Sequence, residues 1–293
     1  MEFFQPEYFR KTEKDTIRCM LCERSCVLNA GMKGYCGANC NINGELVNLV
    51  YGHPVALNID PIEKKPLYRF LKGSDTYSLG TLGCNFKCSW CQNYQISQKH
   101  FNDNIPSETV LPDEVVSGAI QADCMSVSYT YNEPAVFYPY AKDIGLIAKE
   151  NGLKNIFVTN GYQTEDIVRD MKNWVDALNI DLKSFNREKH LKFTGGELDV
   201  VLRNLKSFSD SPVHLEVTTL VIPGFNDSEE ELSSIAEFIL NELGSSIPWH
   251  VSAFHPDFNM TDKDPTAPEK IFRAVDIGRS KGLKYVYPGN VPV

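Results

Sequence analysis

The chain has little that would send it out of the cytoplasm or onto a membrane. Its opening, MEFFQPEYFRKTEKD, has no apolar h-region, so no secretory signal peptide is expected. No apolar run approaches the roughly 18 residues that a membrane-spanning helix needs, so no membrane partner is expected. Positive charge is also scarce: 29 Lys and Arg stand against 38 Asp and Glu, for a net charge of -9. There is no long basic run, and a nucleic-acid backbone normally requires a basic face, so nucleic acid is not expected as a partner. A cytoplasmic chain of 293 residues, 42% of them hydrophobic, has no need of disulfides to hold a core.

Cysteine, by contrast, is plentiful and clustered. Eight of the nine cysteines fall into two groups: Cys19, Cys22, Cys26, Cys36 and Cys40, then Cys84, Cys88 and Cys91. In a reducing compartment such groups read as metal or redox sites. Within LGCNFKCSWCQN the spacing is C-x3-C-x2-C. Three thiolates leave one iron of a four-iron cluster without a protein ligand, and an open position marks a catalytic centre. This spacing favours an iron–sulfur cluster over a zinc whose fourth ligand, Cys124 or a histidine, lies elsewhere. The N-terminal C-x2-C-x3-C-x9-C set supplies four thiolates among the turns at Gly31 and Gly34. Closed S4 coordination suits structural zinc or a second iron–sulfur cluster. Cys40 is a spare that could replace Cys36, and Cys124 reads as a small buried residue.

Residues 1–75 are turn-rich and cysteine-rich, and are expected to form an N-terminal metal-binding extension too small to build its own core. From 76 to 293 short β-rich runs alternate with segments of helical period. Strands are expected near 76–82, 125–130, 155–160, 177–182, 213–222, 249–254 and 284–288. Helices are expected near 112–122, 136–151, 164–174, 197–208, 228–243 and 268–281. Pro112-Asp113-Glu114 and the acidic start of NDSEEEL suit first helical turns, with Glu229–Glu231 read as a solvated face. Such alternation gives parallel β/α units, and six or seven of them suit a partial or full (β/α) barrel better than a flat doubly wound sheet. Barrel chemistry sits at the C-terminal strand ends. These ends carry Cys84, then Asn132 and Glu133, then Asn160, then Asp181 and Lys183, then His255. One polar strand end means little, but five beside a cysteine cluster point to a site. The aromatic residues of SYTYNEPAVFYPYA read as packing rather than as a stacking surface.

C-x3-C-x2-C at the end of the first barrel strand, with Trp90 before the third cysteine, resembles the signature of the radical S-adenosylmethionine (SAM) enzymes. TYNEP stands where that superfamily has a glycine–glycine–glutamate stretch, and only Glu133 matches it directly. TNGY, DLK and FHP resemble strand ends of the activating enzymes of pyruvate formate-lyase and other glycyl-radical enzymes. CMLCERSCVLNAGMKGYCG and the long DPIEKKPLYRF (60–70) resemble the radical SAM proteins of the AmmeMemoRadiSam system. Those relatives have Arg shortly after the fourth N-terminal cysteine, where this chain has Asn39 followed by Cys40.

The resemblance implies an oxidoreductase with a radical SAM barrel, a [4Fe–4S] cluster and S-adenosylmethionine. The reduced cluster would cleave SAM to methionine and a 5′-deoxyadenosyl radical, which takes hydrogen from an unidentified substrate. Cys84, Cys88 and Cys91 would hold the cluster. Trp90, Asn132, Glu133, Asn160 and Asp181 would stand around the cofactors, with Glu133 accepting from the SAM ammonium. Lys183 and His255 would lie near SAM and substrate. A flavodoxin- or ferredoxin-type electron donor is implied, as are AMMECR1-type and Memo-type partners. A glycyl-radical-enzyme activase is the nearest alternative, and a non-catalytic zinc or electron-transfer protein is the alternative of another class.

Overall fold

The computed structural model describes residues 8–12, 15–99 and 108–291. Ahead of the barrel lie short antiparallel pieces. Strands β1 (Phe9–Lys11), β2 (Ile17–Cys19) and β3 (Val27–Leu28) form one small sheet, and β4 (Asn39–Ile42) with β5 (Glu45–Asn48) forms a hairpin. Gly44, in the left-handed region at φ +80°, closes that hairpin, where an L side chain would be strained.

The main sheet has eight strands in linear order. These are β6 (Ala56–Pro61), β7 (Asp75–Gly80), β8 (Ser126–Tyr129), β9 (Lys154–Thr159), β10 (Ala177–Asp181), β11 (His214–Val221), β12 (Trp249–Ala253) and β13 (Val286–Gly289). From β7 onward every neighbouring pair is parallel, whereas β6 runs antiparallel to β7 with Ala56 opposite Gly80. Strands β6 and β13 are the edges, and no pairing joins them among the described residues. The architecture is a partial (β/α) barrel. Side chains of β8 are buried on both faces, as expected for a parallel strand covered by helices and filled from within.

The helices are α1 (Tyr94–Ser97), α2 (Pro112–Gln121), α3 (Tyr138–Glu150), α4 (Glu165–Met171), α5 (Arg187–Thr194), α6 (Leu198–Ser209), α7 (Glu229–Phe238) and α8 (Pro268–Ser280). Their starts follow the local chemistry. In α2 Pro112 takes a first-turn position and the Glu114 carboxylate accepts from the Leu111 amide at 2.6 Å. In α7 the Ser228 hydroxyl caps the Glu231 amide at 3.2 Å, and the α-helical part stops at Phe238 because Ile239–Leu243 widens into a π turn.

Three features depart from the expectations. Strand β6 arises within the cysteine-rich stretch and becomes a barrel edge. Helix α5 forms from REKHLKFT, a segment with no apolar period, because Asn186 caps its start and Gly195, at φ +78°, ends it. Glu231 is not a solvated side chain: its carboxylate accepts from the Ser184 hydroxyl at 2.5 Å and the Phe185 amide at 2.9 Å, tying α7 to the loop after β10.

Ile17, Leu21 and Leu46 share one core cluster with Val127, Phe157, Ile180, Val217 and Trp249 of the barrel. Each fully buried side chain of this size contributes about 1.5–3 kcal/mol, so the N-terminal strands are held by a core they share with the barrel. The 60–70 segment has a separate task. Ile62 and Leu67 pack with Ile156 and Ala177, the Pro66 carbonyl accepts from Asn179, and the Tyr68 and Arg69 amides donate to Glu216. It fastens β6 to β9, β10 and β11. Among the described residues no helix is long and apolar enough to cross a membrane.

Candidate active site

The chain leaves β7 at Gly80 and enters the loop carrying Cys84, Cys88 and Cys91, of which the first two are buried. The loop is strapped down from several sides. Lys87 and Ser89 donate backbone N–H groups to the Thr194 and Phe193 carbonyls at the end of α5, at 2.8 and 3.3 Å. The Ser89 carbonyl accepts from the Asn259 amide at 3.0 Å. Phe86 packs against Tyr162 and His190, and it lies so near Gly196 that a Cβ there would meet the ring at 2.2 Å. Trp90, the aromatic expected beside the cofactors, is buried against Phe225, with ring centroids 5.0 Å apart. That contact anchors the turn between Cys88 and Cys91.

The strand ends converge on this loop. Asn132 accepts from the Thr81 amide at 3.0 Å and donates to the Gly83 carbonyl at 2.7 Å, fixing the approach to Cys84. Glu133 is buried, and its carboxylate takes four donors. Ala135 N, the Thr159 hydroxyl and Gln163 Nε2 reach Oε1 at 3.0, 2.7 and 3.0 Å, and Asn160 N reaches Oε2 at 2.8 Å. Burial pushes its pKa up to about 7, against the pull of those donors. Asn160 donates through Nδ2 to Asn85 Oδ1 at 2.8 Å and accepts from Tyr162 N at 3.1 Å. Asp181 and Lys183 pair at 2.8 Å. Burial works against the Lys183 ammonium, but Asp181 and the Cys88 sulfur lift its pKa above the ordinary lysine value. His255 Nε2 lies 2.8 Å from Gln92 Nε2, one residue past Cys91.

Asn85, Gln92 and Asn93 are parts of the site that motif reasoning passed over. Asn93 donates to the Tyr131 carbonyl at 2.8 Å and holds the loop after β8 against the cysteine loop. Tyr131, at φ +69°, sends its hydroxyl to Asp60 at 2.6 Å, and Asp60 also accepts from the buried Lys65 at 2.6 Å. Asn85, Gln92 and Asn93 lie within two residues of a cysteine and Tyr131 within the strand-end stretch, which was the signal available in the sequence.

The donor set suits an iron–sulfur cluster. Cys84, Cys88 and Cys91 are mutually close enough for their charges to interact. Burial, with the Glu133 charge next, holds the Cys84 thiol well above its ordinary range, and burial pushes Cys88 up to about 12 against the pull of Lys183. Such thiols stay protonated until a metal displaces the proton. Among the described residues, no three His, Cys, Asp or Glu side chains converge closely enough to share a single ion. A cubane asks for something else, because each thiolate binds its own iron. Cys124 cannot complete this set: it sits at the start of β8, beside Asp75 and Asp123, at the opposite end of the barrel.

The N-terminal group gathers in the same way. Cys19, Cys22, Cys26 and Cys36 line one cavity together with Arg24, Asn39 and Asn85. Cys40 stands apart, with its thiol 3.7 Å from the Asn41 carbonyl.

A model of the radical SAM superfamily matches residues 79–238. The chain is 41% identical over 285 residues to the uncharacterized protein MJ0808 of Methanocaldococcus jannaschii, covering 97% of this chain and 84% of that one. It is 24% identical over 234 residues to the pyruvate formate-lyase-activating enzyme of Staphylococcus epidermidis, covering 74% of this chain and 91% of that enzyme. Among solved structures, SuiB of Streptococcus suis bound to S-adenosylmethionine superposes with a TM-score of 0.56 at 13% identity, over 71% of this chain and 48% of SuiB.

Proposed function

The chain belongs to the radical SAM superfamily, and from that premise we propose that it is a radical SAM oxidoreductase of the AmmeMemoRadiSam group. The observation that carries this reading is the gathering of Cys84, Cys88 and Cys91 at the C-terminal end of the first parallel barrel strand, facing the Asp181–Lys183 pair. When bound, a reduced [4Fe–4S] cluster supplies the electron that splits S-adenosylmethionine into methionine and a 5′-deoxyadenosyl radical able to take hydrogen from substrate.

The protein's own residues hold and orient. Cys84, Cys88 and Cys91 would hold the cluster and would leave one iron open to SAM. Lys183 offsets the negative charge of the Cys88 and Cys91 thiolates and provides a cation for the SAM carboxylate or for substrate. The four donors on Glu133 support a positioning role: it fixes the backbone of Asn160 rather than reaching out to the SAM ammonium. Asn132 does the same for Gly83. His255, exposed and set against Gln92, is placed to meet a substrate above the loop. Residues 1–75 serve as a metal-bearing extension that also lends β6 to the barrel sheet, and 76–293 as the catalytic unit. The partners in this reading are a flavodoxin- or ferredoxin-type donor and AMMECR1-type and Memo-type proteins. The likeness to pyruvate formate-lyase-activating enzymes supports a second reading, in which the substrate is a glycine of a large partner enzyme.

The test is reductive SAM cleavage. Chain purified without oxygen and reconstituted with iron and sulfide is expected to release 5′-deoxyadenosine under a strong reductant, and Cys88→Ala is expected to abolish it. Equal product from both proteins would sink the reading. A glycyl-radical signal appearing on a partner enzyme would favour the activase.

A further inference from the structure

We propose that Cys19, Cys22, Cys26 and Cys36 hold a second iron–sulfur cluster, built directly against the catalytic loop and hydrogen-bonded by Asn85 and Arg24. The proposal assigns the metal of the N-terminal group and rests on the radical SAM reading only for its neighbour.

The backbone around these sulfurs is arranged for thiolates. The amides of Leu21, Arg24 and Ala38 turn towards Cys19, Cys22 and Cys36, each two residues past its cysteine. Asn39 Nδ2 adds a contact to Cys36 Sγ at 3.6 Å. Phe86 N makes the same contact with Cys84 Sγ at 3.4 Å in the catalytic loop. A neutral thiol accepts weakly, so these donors await anionic sulfur.

Two further donors then remain. Arg24 Nη2 is buried and has no hydrogen-bond partner, its guanidinium lying over the Tyr35 ring, and Asn85 Nδ2 lines the same cavity with only the Cys22 sulfur before it. Buried donors left unmade cost about 1–3 kcal/mol each. A zinc centre offers only the four thiolates, three of which already have backbone donors. An iron–sulfur cluster adds sulfides that accept hydrogen bonds. A single zinc also needs all four sulfurs within about 2.3 Å of one point. Here four sulfurs surround a cavity, and no three ligating groups converge on a point among the described residues, as in the catalytic set.

Position couples the two sites. A Cβ on Gly83 would lie 2.3 Å from the Cys36 carbonyl, so the N-terminal turn rests on the residue before Cys84. Asn85 reaches both ways. Its Nδ2 faces Cys22, while its Oδ1 accepts from Asn160 and lies 3.9 Å from Cys84 Sγ. The Arg24 Nε donates to the Asn85 carbonyl at 3.0 Å. Asn85 and Arg24 are therefore positioning residues whose donors set the potential of the second cluster.

The experiment counts metal in the anaerobically reconstituted full-length chain. Wild type is expected to hold about eight irons and as many sulfides, and the Cys84→Ala/Cys88→Ala/Cys91→Ala variant about four of each. One zinc per chain, with iron confined to the wild-type catalytic set, overturns the proposal; the wild-type count decides this even if the triple variant does not fold. In the triple variant, adding Asn85→Leu or Arg24→Met is expected to move the midpoint of the retained cluster to more negative potential, because the reduced, more anionic state loses a donor. An unmoved midpoint overturns the assignment of those donors. Failure of the radical SAM reading would register separately, as SAM cleavage indifferent to Cys88.

Discussion

Glu133 shows how a residue can be recognised by position while its task is set by neighbours. Four donors occupy its carboxylate, yet burial keeps its pKa at about 7, against an ordinary 4.5. The folded chain therefore binds a proton that the unfolded chain has released between those values. Stability from this group is fully present below pH 4.5 and is lost as pH rises through 7, by about 3 kcal/mol. Thermal melts of the metal-free chain between pH 5 and 8 are expected to show this decline, and Glu133→Gln is expected to flatten it. A variant that keeps the wild-type slope would place the titration elsewhere. The motif made Glu133 visible. Its saturation was not, because Thr159, Asn160 and Gln163 arrive from the next strand end.

Among the elements, α5 matters more than its weak pattern suggests. Its terminal carbonyls hold the Lys87 and Ser89 amides, and Gly196 just beyond it admits Phe86. Gly196→Ala would drive a Cβ into that ring at 2.2 Å. Overpacking of this kind costs about 1–3 kcal/mol. A lower melting temperature and poorer retention of iron are expected together; a variant that melts lower yet retains iron normally would detach α5 from the site. The helix was missed because periodicity reads apolar faces, and REKHLKFT has none.

For the whole molecule, the 60–70 segment and Glu216 tie the antiparallel edge strand to the middle of the sheet. Glu216 is buried and accepts from the Tyr68 and Arg69 amides, with His214 and His250 Nε2 at 2.9 and 2.6 Å. Burial alone would raise its pKa, but the two histidines and the Arg69 amide hold it down to about 2. This contribution has the opposite sign to that of Glu133: it is present above the ordinary 4.5 and lost as pH falls towards 2. Glu216→Leu leaves those partners buried without an acceptor and is expected to cost about 3–5 kcal/mol in denaturant unfolding. A loss below 1 kcal/mol would mean that water replaces the carboxylate.

The sequence by itself determined the barrel class, the cysteine triad, the N-terminal thiols and the strand ends that carry polar groups. These follow from short-range signals, namely the alternation of strand and helix periods and the spacing of thiols within one loop. The tertiary structure alone decided that β6 lies antiparallel at one edge of a sheet that stays open among the described residues, that Cys36 rather than Cys40 joins the N-terminal thiols, and that Trp90 packs on Phe225. It alone decided that Asn85 links Cys22 to Cys84 across 62 positions of chain. Such contacts depend on which distant segments the core brings together, and local spacing carries no record of them.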